Sequence, residues 1–165
     1  MKVLVTGGAG FVGSVLCRDL LDLGHKVICL DSLQKGDGDS LLGIVANKNF
    51  EFVHDTILSD NLQKVVNKVE TVIHLAALVG APKCKKDPEL SYITNYVGTK
   101  KLIHCLSSQR LIFASTGSIY GKVDGVCTEE SSINPQSEYG KDKKMAEDLV
   151  TNYHNSISFR FATGC

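Results

Sequence analysis

Short runs rich in β-branched residues alternate along the chain with longer stretches whose apolar residues recur at helical spacing. Lys2 to Thr6, Lys26 to Asp31, Phe50 to His54, Thr71 to Leu75, Leu111 to Ser115 and Ile157 to Phe161 read as strands. Val12, Val15, Leu16, Asp19, Leu20 and Leu23 mark a helix with an apolar stripe, closed by Gly24. Weaker helical patterns cover 59–68, 89–107 and 138–154. A strand, a helix and a strand in repeated succession require a parallel sheet, because each parallel return needs a crossover that packs back on the sheet. The expected fold is therefore α/β, a doubly wound parallel sheet with helices on both faces, formed by residues 1–165 as one domain. The polar segment Lys35 to Ser40 reads as a loop.

A chain of 165 residues with 43% hydrophobic and 22% charged residues has the profile of one well-buried soluble domain. Its 18 basic residues cancel 18 acidic ones, so no net field draws it to nucleic acid or to an anionic membrane, and small-molecule chemistry is expected instead. No targeting leader precedes the first strand, so no export or membrane address is expected, and cysteines in apolar segments, where they read as reduced, make a cytoplasmic location the expectation. The 6 cysteines form no C-x-x-C pair, so no metal site is expected, and Cys17, Cys29 and Cys105 fall in apolar segments as reduced core residues.

The first strand runs through Gly7, Gly10 and Gly13 into its helix, which Phe11 and Val12 open. Gly7 suits a tight turn, Gly10 lets backbone N–H groups approach a pyrophosphate, and Gly13 lets helix and strand lie close. The pyrophosphate would then sit at the positive end of the helix. Asp31 closes the second strand, where a carboxylate accepts hydrogen bonds from ribose hydroxyls. It would repel a 2′-phosphate, which favours NAD over NADP, although Lys35 is close enough in sequence to pair with such a phosphate. Asp55 and Thr56, just past the third strand, read either as contacts to the adenine edge or as a solvated turn.

Tyr139 and Lys143 lie four apart and share a helix face. A lysine so placed is expected to lower the phenol pKa toward working pH, as a general base or acid requires. On a solvated helix the same spacing would mean nothing. The apolar run Leu111 to Ala114 ends in Ser115 and Thr116, hydroxyls at the C-terminal edge of the sheet, where such folds bind ligands. The basic segment Gly80 to Pro88 reads as a solvated loop in preference to a contact for a substrate phosphate.

Thr6 to Gly13, Asp31, Asp55, the His74-Leu75-Ala76-Ala77 run, Asn95 to Thr99, Ser115 to Gly121, and Tyr139 with Lys143 together resemble the extended short-chain dehydrogenase/reductase family, especially its sugar-nucleotide epimerases and dehydratases. The resemblance implies a Rossmann-type fold, bound NAD, a nucleotide-sugar substrate and a homodimer formed by the helices at 89–107 and 138–154. It implies Tyr139 as acid/base, Lys143 as its partner and ribose anchor, and Thr116 as the hydroxyl that orients substrate, with Ser115 the neighbour that could take that place. Leu75, Ala76 and Ala77 would lie along the cofactor, with Asn95 supporting the active-site end of its helix. The implied reaction removes a hydride and a hydroxyl proton from the sugar, giving a transient keto sugar. Family members continue into a smaller substrate lobe, so that lobe is expected to be largely missing here. The chain would then be either an enzyme of doubtful activity or an NAD-binding module or partner subunit.

Overall fold

The computed structural model describes residues 1–34 and 36–162. Lys35 and the end of the chain from Thr163 lie outside the described residues, and with them the idea that Lys35 meets a 2′-phosphate. Six strands, β1 (Lys2–Thr6), β2 (Lys26–Asp31), β3 (Phe50–His54), β4 (Thr71–His74), β5 (Arg110–Thr116) and β6 (Ser156–Phe161), form one sheet in the order β3-β2-β1-β4-β5-β6. Every neighbouring pair is parallel. The expected doubly wound sheet is the one found.

Alternation along β1 builds two cores. Leu4 points to the face covered by α2 (Leu62–Val66), α5 (Gly98–Cys105) and α6 (Glu138–Thr151), where it meets Leu62, Leu102 and Val150. Val3 and Val5 point to the opposite face and pack with Cys17 and Leu21 of α1 (Phe11–Asp22).

The buried stripe of α1 differs from the expected one. Gly13, Ser14, Cys17 and Leu21 face the sheet, while Val12, Val15 and Leu23 are 55%, 50% and 73% exposed. Small residues let this helix approach the sheet closely, which turns the larger apolar residues outward; Leu16 and Leu20 still pack against the rim of the core.

Residues 80–88 form a short helix, α3 (Ala81–Lys86), instead of a solvated loop. Pro82 suits a helix start, and Cys84 is fully buried, so one turn of this basic segment faces inward. α4 (Pro88–Tyr92) follows after Asp87, whose side chain accepts the Leu90 N–H as its cap, and continues through a π-helical turn, Ile93–Val97, into α5. The pattern at 59–68 shrinks to α2. On the edge strand β6, Ser158 and Arg160 turn inward, whereas Ile157, Phe159 and Phe161 are 47%, 50% and 54% exposed.

Candidate active site

The strand order reverses direction between β1 and β4, and a cleft of about 580 Å³ opens beyond the C-terminal ends of the central strands. Its floor is the glycine turn. Gly7 takes φ 71°, and a Cβ there would lie 2.7 Å from Ala76 N. A Cβ on Gly13 would lie 2.3 Å from the Gly7 carbonyl oxygen, so the turn closes only with glycine at both positions. No side chain caps α1, which leaves its leading N–H groups without a capping acceptor beside the cleft lined by Gly10, Phe11 and Val12.

Asp31 holds this turn in place. Its Oδ2 accepts the Ala9 N–H at 3.0 Å, and its Oδ1 accepts the Leu33 N–H at 2.9 Å. Asp55 and Thr56 line the same end of the cleft. The Ser59 hydroxyl and the Thr56 N–H hold the Asp55 carboxyl below its ordinary pKa.

Leu75, Ala76 and Ala77 form the opposite wall, continued by Leu78 and Val79. Asn95 does not itself line the cleft. Its side chain is 1% exposed and is spent on the wall: Oδ1 accepts the Leu78 N–H at 2.8 Å while Nδ2 donates to the Leu78 carbonyl at 3.0 Å.

The far end carries Ser115, Tyr139 and Lys143. Ser137 caps α6 by accepting the Gly140 N–H, which places Tyr139 in the first turn and Lys143 one turn later, facing the sheet. Burial raises the Tyr139 pKa, with the Thr116 hydroxyl pulling it back and Cys84 adding to the rise. In the ligand-free cleft burial therefore outweighs any lowering by Lys143, whose Nζ lies over the Phe113 ring, 3.9 Å from its centroid.

Thr116 is buried and also accepts the Ser118 N–H at 3.1 Å. Ser115, its neighbour, lines the cleft and lies near Glu147. Among the described residues it is the buried side chain whose oxygen meets no partner at hydrogen-bond geometry.

Lys143 is 2% exposed, and burial lowers its pKa to about 7, with Glu147 opposing the shift. Glu147 stands one further turn along the same stripe. Burial pushes its carboxyl up, but Arg160, donating from Nη2 at 2.7 Å and from Nε at 3.0 Å to Oε1, together with the Ser115 and Ser158 hydroxyls brings it below its ordinary pKa. Arg160 also donates to Tyr120 Oη at 2.7 Å, so the residue that ties α6 to β6 through Glu147 reaches the segment after β5 as well. The spacing of Tyr139, Lys143 and Glu147 along one stripe was a readable signal for Glu147; nothing local announces Arg160.

The Lys143 shift makes a testable statement about stability. Its folded pKa of about 7 lies below its ordinary 10.5, so the unfolded chain binds more protons between those values. Stability from this group is fully present above 10.5 and is lost as pH falls to about 7. The difference in melting temperature between the ligand-free chain and Lys143→Met should therefore shift in favour of the wild type as pH rises across that window. Parallel melting curves for the two would contradict it.

The sheet order and the cleft at its reversal point define a Rossmann-type α/β domain. Residues 3–164 match the NAD dependent epimerase/dehydratase family, and the chain belongs to that family. It is 35% identical to the UDP-glucose 4-epimerase of Mycolicibacterium smegmatis, over 94% of this chain and 52% of that protein. Among solved structures it is similar to UDP-glucuronic acid 4-epimerase from Bacillus cereus in complex with UDP-glucuronic acid and NAD. That match has a TM-score of 0.90 and 30% identity over 97% of this chain and 56% of the other. The dTDP-glucose 4,6-dehydratase of Streptomyces venezuelae, solved with NAD bound, superposes with a TM-score of 0.88 and 32% identity, over 93% of this chain and 52% of that one. The chain spans about half the length of the curated relatives it matches. No helix among the described residues is long and apolar enough to cross a membrane.

Proposed function

We propose that this chain binds NAD and forms the cofactor half of a nucleotide-sugar epimerase or dehydratase that works through a transient keto sugar. The observation that carries this reading is the meeting in one cleft of the glycine turn, Asp31 and the pair Tyr139 and Lys143. The cleft suits NAD on its own geometry. The leading N–H groups of α1 face a pyrophosphate, Gly10 meets only the Gly7 oxygen near its missing Cβ, at 3.2 Å, and the Asp31 carboxylate stands where the adenosine ribose would lie. A 2′-phosphate would meet that carboxylate, so NAD is preferred over NADP.

NAD, when bound, supplies the hydride acceptor and donor. Tyr139 takes the proton of the sugar hydroxyl that is oxidised, Thr116 holds that oxygen, and Lys143 stabilises the phenolate by its charge. Leu75, Ala76 and Ala77 exclude water along the cofactor. The family and the curated relatives support this reading, while the share of those relatives that the chain spans keeps open a second one, an NAD-binding subunit that works with another chain.

Calorimetric titration tests the cofactor reading. NAD should bind saturably and more tightly than NADP, and Asp31→Ala should weaken NAD by about tenfold or more, since it removes a ribose acceptor and the tie to Ala9 together. Equal affinity for both nucleotides in wild type and variant would sink the role of Asp31. Reduction of bound NAD on adding a UDP-hexose separates the enzyme from the binding subunit.

A further inference from the structure

Thr6, His74, Thr99, Asn95, Ser91 and Asp142 form a connected set of polar side chains, none more than 5% exposed. Counting hydrogens fixes its direction. The Thr99 hydroxyl donates to the Asn95 carbonyl at 2.7 Å, so its oxygen accepts from His74 Nε2–H at 3.0 Å. Burial drives the His74 pKa to about 3, so the ring is neutral and Nδ1 accepts the Thr6 hydroxyl proton at 2.7 Å. Thr6 Oγ1 is then free to accept the Ala76 N–H at 3.3 Å.

The other arm leaves from the Asn95 side chain. With one amide hydrogen on the Leu78 carbonyl, Nδ2 gives the second to Ser91 Oγ at 3.3 Å, and Ser91 passes its own proton to Asp142 Oδ2 at 2.5 Å. Both arms thus end on backbone groups of the cleft wall, Ala76 and Leu78. Asp142 is the acceptor that terminates the second arm, and it sits on α6 between Tyr139 and Lys143. It forms no salt bridge among the described residues, and the adjacent Lys141 is paired with Glu138 at 2.9 Å. A carboxylate buried to this extent without a cation costs stability unless its bonds do something for the molecule.

We propose that Asp142 is a positioning residue which, through Ser91 and Asn95, fixes the Leu78 wall against the helix carrying Tyr139 and Lys143, and so sets the width of the cleft for the nicotinamide half of NAD. This rests on the reading of the cleft as an NAD site. Leu78 is also held by the Cys84 thiol, which donates to its carbonyl at 3.4 Å, so the wall is fastened at one residue to two separate elements, the π-helical turn and α3.

The test compares Asp142→Ala, Asp142→Asn and Ser91→Ala with wild type by two readouts. In the ligand-free chain, hydrogen exchange at the Leu78 amide should accelerate by about tenfold in Asp142→Ala and Ser91→Ala, with the Val5 amide of the central strand unchanged. In calorimetry the same variants should lose about tenfold in NAD affinity yet keep AMP affinity within about twofold, because AMP engages only the end formed by Gly10 and Asp31. Asp142→Asn should stay near wild type in both, since its amide oxygen still accepts from Ser91. Unchanged Leu78 exchange, a parallel loss of AMP and NAD binding, or an Asn variant as impaired as Ala would each overturn the proposal. If the wild-type chain binds neither nucleotide, the NAD reading fails, and the Leu78 exchange alone decides whether Asp142 holds the wall.

Discussion

Tyr139→Phe is expected to lower hydride transfer from a nucleotide sugar to bound NAD by about a thousandfold while leaving NAD affinity within about tenfold of wild type. The ring is retained, so the packing at the start of α6 is unchanged, and only the proton carrier is lost. Burial holds the phenol protonated in the ligand-free cleft, which means that the base form must be created when the site fills. Lys143, titrating at about 7 beside it on the same stripe, is the group whose charge can do that. The expected signature is therefore intact binding with lost chemistry, read by cofactor absorbance at saturating sugar nucleotide. Turnover that survives in the variant would remove Tyr139 from the mechanism and send the search for the base to Ser115 or Thr116.

Gly13→Ala should have the largest effect on the cofactor site itself. The added methyl would lie 2.3 Å from the Gly7 oxygen and 2.7 Å from Gly8 Cα, both backbone atoms that no rotamer change can move. The helix must lift off the turn, at a cost of about 1–3 kcal/mol in stability. NAD affinity should fall by about a hundredfold, because the N–H groups that face the pyrophosphate shift with the helix. Gly10→Ala is the informative control: its Cβ meets the Gly7 oxygen at 3.2 Å and little else, so the fold should survive with the melting temperature nearly unchanged. NAD binding should still weaken, because the methyl occupies ligand space. If Gly10→Ala bound NAD like wild type, the pyrophosphate would not sit over this turn.

The strands were legible because a parallel sheet buried on both faces writes itself as short apolar runs, and all six match the expected ranges to within one residue at each end. The glycine turn and the Tyr139–Lys143 pair were legible for a similar reason: each is a local spacing, and both line the one cleft. What was hidden depends on three-dimensional closeness. The buried face of α1 is made of Gly13, Ser14 and Cys17, residues that hydrophobicity alone ranks below the exposed Val12 and Val15. Asn95 bonds a wall residue seventeen positions earlier in the chain, and Ser91 meets Asp142 across 51 residues. The Tyr139 pKa rises in the ligand-free cleft instead of falling because the phenol is buried, and helical spacing reports that Lys143 is a turn away but not how deeply the phenol sits.

The π-helical turn at Ile93–Val97 gives this molecule an unusual sensitivity to deletion. One residue more than an α-helix needs is accommodated there, so Ser91 on one side of the turn can look toward α6 while Leu102 on the other side looks into the sheet core. Removing a single residue from the turn would let the segment relax into regular helix, a gain in local geometry. The turns on either side would keep their relative phase, because the extra residue is what the wide turn absorbs, but Asn95 inside it would be displaced from its bonds to Leu78. The helix would survive and the wall at Leu78 would lose its fastening. Chain length at this point is thus as much a determinant of the site as the identity of any side chain in it.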